Sequence, residues 1–434
     1  MESTAQLIPE PSTTSAERRA ARSSYIPTFD GWRAVAILIV IIQHAQESFI
    51  AAHPSVPFSG FVATMGLYGV RIFFGISGFL ITTRILEEID RRGALSLPAF
   101  YVRRAFRILP PLLVLLFAAL LLRQAGLIAV GWLEWTSGLL FFANWVPGLH
   151  YLGHLWSLGV EEHFYLLWPC LLALLGTKRA VLVALALCPA LALWRMVAWH
   201  FHLFSTPAVF WGRTDIQLDG LLLGSIGAYV FRYYPAECRR ILGHRAAVPL
   251  AIGLFMLTCV YRQWDYKISM PLYSLQAVLI PAILIGTIER TQSPLSRVLE
   301  LAPLKWIGRL SYGLYLWQVF LVPRRTFPQS FALMQAWPYN VACVFLFATV
   351  SYYTLELAMV RIGHRLARAV TSKNTDVIEA RAATSTRTDT TEARAATSTR
   401  TDTTETRTVT SLRTDAAGAP AAPVMPRDAA ALPR

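Results

Sequence analysis

Two titratable side chains stand eleven residues apart in an otherwise apolar segment of the sequence. The stretch FDGWRAVAILIVIIQHA, residues 29–45, holds Arg33 near its start and His44 near its end. Eleven residues of an α-helix turn through about three full rotations, so both side chains share one helix face, roughly 16 Å apart along the axis. Charged or titratable groups are costly in lipid, and imidazole suits general-base work near neutral pH. The spacing makes His44 a candidate catalytic residue; the alternative is a snorkelling Arg33 with a packing His44.

Three arginines begin another apolar segment. In FYVRRAFRILPP, residues 100–111, Arg103, Arg104 and Arg107 precede a long apolar run. Guanidinium groups bind phosphates through charge-assisted, often bidentate hydrogen bonds. The cluster is therefore a candidate phosphate site. The alternative is positive charge that faces lipid headgroups and sets the topology.

A third segment combines carboxylates, histidines and hydroxyl groups. In HLWSLGVEEHFYLLWP, residues 154–169, Ser157, Glu161 and Tyr165 are spaced four apart and share a helix face. A carboxylate at this position could orient a histidine or bind the hydroxyl group of an acceptor. The alternative is a polar helix cap with an aromatic belt. Metal-binding spacing such as HExxH is absent, and we predict no metal site.

Three further segments favour structural roles. Glycines in GVRIFFGISGFLITTR, residues 69–84, predict close helix packing. The segment WGRTDIQLDGLLLG, residues 211–224, places charged side chains on the outer side, where they could pair or contact substrate. In WIGRLSYGLYLWQVF, residues 306–320, an aromatic stripe of Tyr312, Tyr315 and Trp317 is typical of a core or a belt.

The composition places the chain in a lipid bilayer. Of its 434 residues, 55% are hydrophobic and 15% are charged, and the mean hydropathy is +0.45. Soluble domains have about a quarter charged residues, whereas runs of roughly 20 apolar residues are typical of transmembrane helices. The net charge of +14 comes mostly from short loops between the apolar runs, so we attribute it to membrane topology and predict no nucleic-acid partner.

The apolar runs predict an all-α integral membrane protein, a bundle of about ten transmembrane helices with a disordered C-terminal tail. The predicted spans lie at about 34–51, 62–82, 108–129, 155–175, 180–200, 216–233, 246–262, 271–288, 307–323 and 338–360. The tryptophan-rich segment 133–148 is too short for a span and is predicted to be interfacial or re-entrant. Ten spans put the basic loops on one side, so the positive-inside rule predicts two cytoplasmic termini in a cell inner membrane.

The ends of the chain differ in composition from the membrane region. Residues 1–25 are polar, residues 26–365 contain the apolar runs, and residues 366–434 have few large apolar side chains. The sequence EARAATSTRTDTT occurs at 379–391 and again at 392–404, a repeat of 13 residues. Because such a composition cannot bury a core, we predict a cytoplasmic N-terminal segment, a transmembrane domain and a disordered low-complexity tail.

Six segments occur in the order found in the acyltransferase-3 family. They are residues 29–45, 69–84, 101–111, 154–169 and 213–224, followed by WIGRLSYGLYLWQ. The sequence resembles this family of integral-membrane O-acyltransferases across about residues 25–360. We expect the stand-alone form, without the fused esterase-like domain that some members carry. The sequence departs from the usual motifs at Trp32, Ala34, Arg71 and Gln318.

The resemblance implies a reaction and its partners. Family members move an acyl group, often acetyl, from a cytoplasmic acyl-CoA to a sugar hydroxyl of a surface glycan, a lipopolysaccharide or a glycosylated metabolite. Acyl-CoA would be a donor substrate, with no tightly bound cofactor. The alternative, from a different class, is a non-enzymatic transporter or flippase of a lipid-linked glycan, although the internal repeats frequent in transporters are not visible.

The resemblance also assigns roles to residues. The Arg-x10-His signature falls on Arg33 and His44, and the Ser-Leu-x-x-Glu motif ends at Glu161. The Arg-x-x-Arg motif falls on Arg104 and Arg107. The resemblance thus implies catalytic roles for His44, Arg33 and Glu161, and CoA phosphate binding by Arg103, Arg104 and Arg107. His44 would act either as a general base or as a transient acyl carrier, and these schemes remain open.

Overall fold

The computed structural model describes residues 25–53, 65–204, 206–261, 266–318 and 332–371. Within these ranges the secondary structure is helical, and no strand is present. The predicted all-α fold is confirmed. Residues 1–24 of the predicted N-terminal segment and the 13-residue repeat lie outside the described residues.

Local sequence signals set the ends of the first helices. Pro27 stands at the start of the first helix, Pro27–Ala52, where its missing N–H costs no helical hydrogen bond. The second helix, Gly66–Arg92, is capped by Gly93, whose φ of 75° lies in the left-handed region that favours glycine. The helices are α1 Pro27–Ala52, α2 Gly66–Arg92, α3 Leu97–Gln124, α4 Trp132–Leu139, α5 Trp156–Leu175, α6 Thr177–His200, α7 Pro207–Gly212, α8 Thr214–Tyr233, α9 Pro235–Leu242, α10 Ala247–Tyr261, α11 Tyr266–Glu289, α12 Pro294–Leu299, α13 Ala302–Trp317, α14 Ala332–Gln335 and α15 Tyr339–Thr371.

The chain is a polytopic membrane protein. In the described ranges, seven helices are long and apolar enough to cross a bilayer, or eight if α9 and α10, bent by 73°, form one broken span. The predicted count of about ten is higher than the structure shows. Each predicted span contains a helix, but α8 carries Asp215 and Asp219 in its first two turns, and α13 has 16 residues.

Small residues let the central helices approach closely. A Cβ atom on Gly78 of α2 would overlap the carbonyl group of Leu221 in α8. A Cβ atom on Gly308 of α13 would likewise overlap the carbonyl group of Asp30 in α1. The predicted packing role of the glycines in 69–84 is therefore confirmed, and α1, α2, α8 and α13 pack along one another.

A buried ionic cluster joins four helices. Asp219 of α8 accepts hydrogen bonds from Arg71 of α2 at 2.8 Å and from Arg195 of α6 at 2.7 Å. Both guanidinium groups lie over the ring of Tyr273 in α11, at 3.7 and 4.9 Å from its centroid. Because buried charges are stable only when paired, the cluster fixes these helices relative to one another. Asp219 thus forms ion pairs with Arg71 and Arg195, one of the two roles predicted for this segment.

The segment after α3 does not cross the membrane. Helix α4 has eight residues, and a 3-10 turn follows at Ala143–Trp145. The Glu134 carboxylate accepts hydrogen bonds from the backbone N–H groups of Tyr151 and Leu152, at 2.5 and 2.7 Å. This short, tethered segment confirms the prediction that 133–148 is not a span.

Helix α15 contains an irregular turn. Residues Tyr352–Glu356 form a π turn, and Glu356 accepts a hydrogen bond from Ser351 at 3.2 Å. A π turn has i→i+5 hydrogen bonds, which bring side chains five residues apart close together. The compact unit that holds the helices ends at Arg368, and a second unit, Ala369–Arg434, is described only to Thr371.

Candidate active site

A cavity of about 460 Å³ lies between α1, α2, α3, α5, α13 and α15. Its volume is typical of small-molecule sites. Among the described residues, its charged lining consists of Arg33, Arg84, Arg104, Arg107, Arg309, Asp30, Glu161 and Glu356. The excess of arginine over carboxylate suits an anionic ligand.

Glu161 is held in a fixed orientation on the cavity wall. Ser77 donates a hydrogen bond to its Oε1 at 3.0 Å, and Tyr165 donates to its Oε2 at 2.9 Å. The Arg104 guanidinium carbon lies 3.6 Å above the ring centroid of Tyr165. Residues from α2, α3 and α5 therefore support one carboxylate. Ser77 and Tyr165 were not among the predicted site residues, although Tyr165 shares the helix face of Glu161.

The structure brings Arg33 and Arg107 to the same cavity. Arg33 projects from α1 and Arg107 from α3, and Arg107 retains a large exposed surface. Neither side chain forms an ion pair with any residue in the described ranges. Their charges are thus available to a ligand. A carboxylate beside them can orient or deprotonate a hydroxyl group.

Arg103 points away from the cavity. Its guanidinium group donates to the Glu88 carboxylate at 2.8 Å, and it is not among the lining residues. Glu88 also accepts a hydrogen bond from the backbone N–H of Ser96 at 3.1 Å. Arg103 therefore anchors the connection between α2 and α3, while Arg104 and Arg107 face the cavity.

His44 lies beyond the inner end of the cavity, by which we mean the end near Val40 and Tyr315. Arg33 and Val40 both line the cavity, and they share a face of α1 because they are seven residues apart. His44 stands one turn after Val40, is half-buried, and its Nδ1 lies 2.9 Å from the Val40 carbonyl oxygen. The structure thus places Arg33 in the cavity and His44 outside its lining.

Tyr315 closes the inner end of the cavity. Its hydroxyl group donates to the His154 carbonyl oxygen at 2.6 Å. It also accepts hydrogen bonds from the Ser157 hydroxyl at 3.2 Å and the Leu158 N–H at 3.3 Å. These contacts join α13 to the start of α5.

Three further cavity residues were not predicted as site residues. Tyr312 donates to the Ile108 carbonyl oxygen at 2.8 Å. Of the aromatic stripe of α13, Tyr312 and Tyr315 line the cavity, whereas Trp317 is buried in the hydrophobic core, one of the two predicted positions. Ser311, one residue earlier, is 1% exposed and its hydroxyl oxygen has no hydrogen-bond partner among the described residues. Glu356 reaches the cavity from the π turn of α15. Within the described residues, no group of three or more metal-ligating side chains is placed to hold a metal ion.

Polar side chains line the end of the cavity near Tyr25 and Asp30, which we call its mouth. Tyr25, which precedes α1, donates a hydrogen bond to Asp30 at 2.7 Å. Partial burial and this hydrogen bond raise the pKa of Tyr25 to about 12, so its hydroxyl group stays protonated at neutral pH. Arg84 and Arg309 line the same region, and both are exposed.

The chain is similar in sequence to several known bacterial proteins. O-acetyltransferase OatA from Staphylococcus aureus is 27% identical over 370 residues, which cover 79% of this chain and 58% of the relative. Peptidoglycan O-acetyltransferase OatA from Listeria monocytogenes is 26% identical over 378 residues, which cover 80% and 58%. The putative O-acetyltransferase SACOL0978 from Staphylococcus aureus is 28% identical over 364 residues, which cover 76% and 57%.

The match to these relatives is partial in length, since the chain spans less than three fifths of each of them. No solved structure matches the chain. A family model described as an acyltransferase domain matches residues 26–356, which include α1, α2, α3, α5 and α13 and the part of α15 up to Glu356. The chain therefore belongs to the acyltransferase-3 family of membrane acyltransferases.

Proposed function

We propose that this chain is a membrane O-acetyltransferase that moves an acetyl group from cytoplasmic acetyl-CoA to a hydroxyl group of a cell-surface glycan. The observation that carries the proposal is the juxtaposition of Arg33, Arg104, Arg107 and Glu161 around one cavity. The family match and the O-acetyltransferase names of the relatives support the reaction class and disfavour the transporter alternative. The name of the Listeria relative supports peptidoglycan as the glycan to test.

The arginines are proposed to bind the donor. CoA carries phosphate groups, and guanidinium groups bind these through charge-assisted hydrogen bonds. Arg104 and Arg107 face the cavity, and Arg104 is held flat against Tyr165. Arg103 is engaged by Glu88, so we restrict direct donor binding to Arg104 and Arg107 and leave Arg103 a supporting role. We propose an inner-membrane topology with the mouth of the cavity at the cytoplasmic side.

Glu161 and His44 are proposed to act at the transfer step. Glu161 faces the cavity and is fixed by two hydroxyl groups, so it can orient the nucleophile. His44 can take the proton of the acceptor hydroxyl or carry the acetyl group. Because the lining ends one turn before His44, the acyl group of a donor in the cavity must extend past Val40 to reach His44.

The proposal is tested in cells that depend on this chain for glycan acetylation. Base-labile O-acetyl groups on purified peptidoglycan are measured by mass spectrometry for wild type, His44→Ala and Arg107→Ala, with Arg103→Ala as the control. We expect acetyl groups in the wild type and Arg103→Ala, and their loss in the other two variants at matched membrane levels. Full acetylation in His44→Ala would refute its catalytic role. Unchanged peptidoglycan after deletion of the whole chain would refute this acceptor.

A further inference from the structure

Ser311 differs from most helical hydroxyl groups in the described part of the chain; Thr28 is also buried without a partner, but it does not line the cavity. The hydroxyl groups of Ser225, Thr83 and Thr354 bond back to carbonyl oxygens four residues earlier, at 2.7–2.9 Å. Such back-bonding satisfies a hydroxyl group inside an apolar helix. Ser311 is 1% exposed, yet its oxygen has no partner in the described part of the chain. A buried polar group without a partner costs about 1–3 kcal/mol of stability. Alanine would therefore give the more stable helix if this hydroxyl group had no ligand to bind.

Apart from Tyr352, which is partly exposed, the remaining hydroxyl groups of the cavity lining are already engaged. Ser77 and Tyr165 donate to Glu161, and Tyr312 donates to the Ile108 carbonyl oxygen. Ser157 donates to the Tyr315 hydroxyl. Ser311 lines the same cavity with its hydrogen-bonding capacity unused. A ligand is therefore the natural partner of this hydroxyl group.

The position of Ser311 along the cavity indicates which ligand atom it meets. Gly308, one turn earlier in α13, packs on Asp30 near the mouth, and Tyr315, one turn later, closes the inner end. Ser311 thus lies within about 6 Å of the closed end along the helix axis. The phosphate groups of an acyl-CoA are remote from its thioester, and exposed arginines stand at the mouth. A donor held by its phosphates near the mouth would place its thioester toward the inner end.

The net charge of the cavity favours an acceptor atom that becomes negative. Five arginines and three carboxylates make up its charged lining in the described residues, so the net charge is positive. In acyl transfer, the thioester carbonyl oxygen gains negative charge as the nucleophile adds. A hydroxyl donor fixed in advance at such an oxygen stabilises the transition state.

We propose that the Ser311 hydroxyl group donates a hydrogen bond to the thioester carbonyl oxygen of the acyl donor. The attacking oxygen or nitrogen bonds to the thioester carbon, and the carbonyl π pair moves to the oxygen that Ser311 contacts. When the carbonyl group re-forms, the C–S bond breaks and its electron pair leaves on the CoA sulfur. The sulfur then takes up the proton released by the nucleophile. The assignment rests on the proposed function, because it requires a thioester donor.

The test compares two donors and three variants in lipid nanodiscs. The donors are acetyl-CoA and S-acetyl-pantetheine, which keeps the thioester arm and lacks the nucleotide. Thiol release and O-acetylation of soluble peptidoglycan glycan strands are followed for wild type, Ser311→Ala and Ser311→Thr. The matched control is Ser225→Ala, which removes a buried, satisfied serine hydroxyl outside the cavity.

We expect Ser311→Ala to lower kcat about tenfold to a hundredfold with both donors, with KM within about twofold. Ser311→Thr, which retains the hydroxyl group, should recover most of kcat, and Ser225→Ala should match wild type. A raised KM for acetyl-CoA that disappears with S-acetyl-pantetheine would mean a phosphate contact and overturn the assignment, as would unchanged kinetics. If wild type turns over neither donor, the thioester donor itself is wrong and the assignment falls with it.

Discussion

The Arg104 guanidinium carbon lies 3.6 Å above the ring of Tyr165, the residue whose hydroxyl group holds Glu161. One tyrosine therefore links a candidate donor-binding arginine to a candidate catalytic carboxylate. Its ring and its hydroxyl group have different partners, so substitutions can separate their contributions.

Tyr165→Phe keeps the ring beneath Arg104 and removes the hydrogen bond to Glu161. We expect it to lower kcat severalfold with little change in the KM for acetyl-CoA. Tyr165→Leu also removes the cation–π contact, worth about 0.5–2 kcal/mol, and should raise KM in addition. Steady-state kinetics in nanodiscs measure both. Tyr101→Phe is the control, because the Tyr101 hydroxyl group bonds to the Leu166 carbonyl oxygen outside the cavity lining. Equal effects of the two Tyr165 variants on KM would contradict a separate role for the ring.

Arg107 and Arg103 are four residues apart and should behave differently. Arg107→Ala removes a guanidinium group from the cavity, so we expect the KM for acetyl-CoA to rise about tenfold or more. The increase should vanish with S-acetyl-pantetheine, which has no phosphate. Arg103→Ala breaks an ion pair with Glu88 and should change KM by less than about twofold. A larger loss in Arg103→Ala than in Arg107→Ala would reverse our assignment.

Gly308 is a point of close approach between α13 and α1. Gly308→Ala places a methyl group against the Asp30 carbonyl, and we expect a loss of about 1–3 kcal/mol in stability. Thermal melting in detergent, followed by size-exclusion chromatography, measures the change. Gly253→Ala in α10 is the matched control, since a Cβ atom there meets no heavy atom within 4 Å. The control should melt at or slightly above the wild-type temperature, because alanine is the better helix former.

The buried ionic cluster makes a second stability prediction. Asp219→Asn leaves Arg71 and Arg195 without their carboxylate, and we expect a loss of about 3–5 kcal/mol. Asp90→Asn is the control, because Asp90 pairs with Arg232 at the exposed surface. Such surface pairs contribute about 0–1 kcal/mol. Similar melting temperatures for the two variants would show that the buried cluster adds little.

Much of the candidate site could be predicted from the helical periodicity of the sequence. Arg33 and His44 could be placed on one face of α1 from their spacing, and Glu161 on one face of α5 with Tyr165, because α-helical geometry is regular. The sequence does not show whether a given helix face meets the cavity or another helix. Arg103 and Arg104 are adjacent in sequence, and tertiary packing against Glu88 and Tyr165 determines which of them meets the cavity.

Other features of the site had no distinctive sequence signal. An aromatic stripe such as Tyr312 and Tyr315 has the same spacing whether it faces lipid, a core or a cavity. Glu356 depends on a π turn, which changes the helix phase without a recognisable pattern. The number of spans was overestimated because α8 and α13 are helical but too polar or too short to qualify as simple apolar spans.

The closure at Tyr315 has an electrical consequence in the proposed topology. A cavity open to the cytoplasm carries the cytoplasmic potential as far as Ser157, so the membrane voltage falls across the remaining protein layer around His44. Each elementary charge that crosses 100 mV changes the free energy by about 2.3 kcal/mol. A neutral acetyl group crosses this layer without electrical work, whereas passage of the phosphate-bearing donor would couple the reaction to the voltage. In the proposed topology and reaction, the seal would let an acyl group leave the cytoplasm while the membrane stays energised.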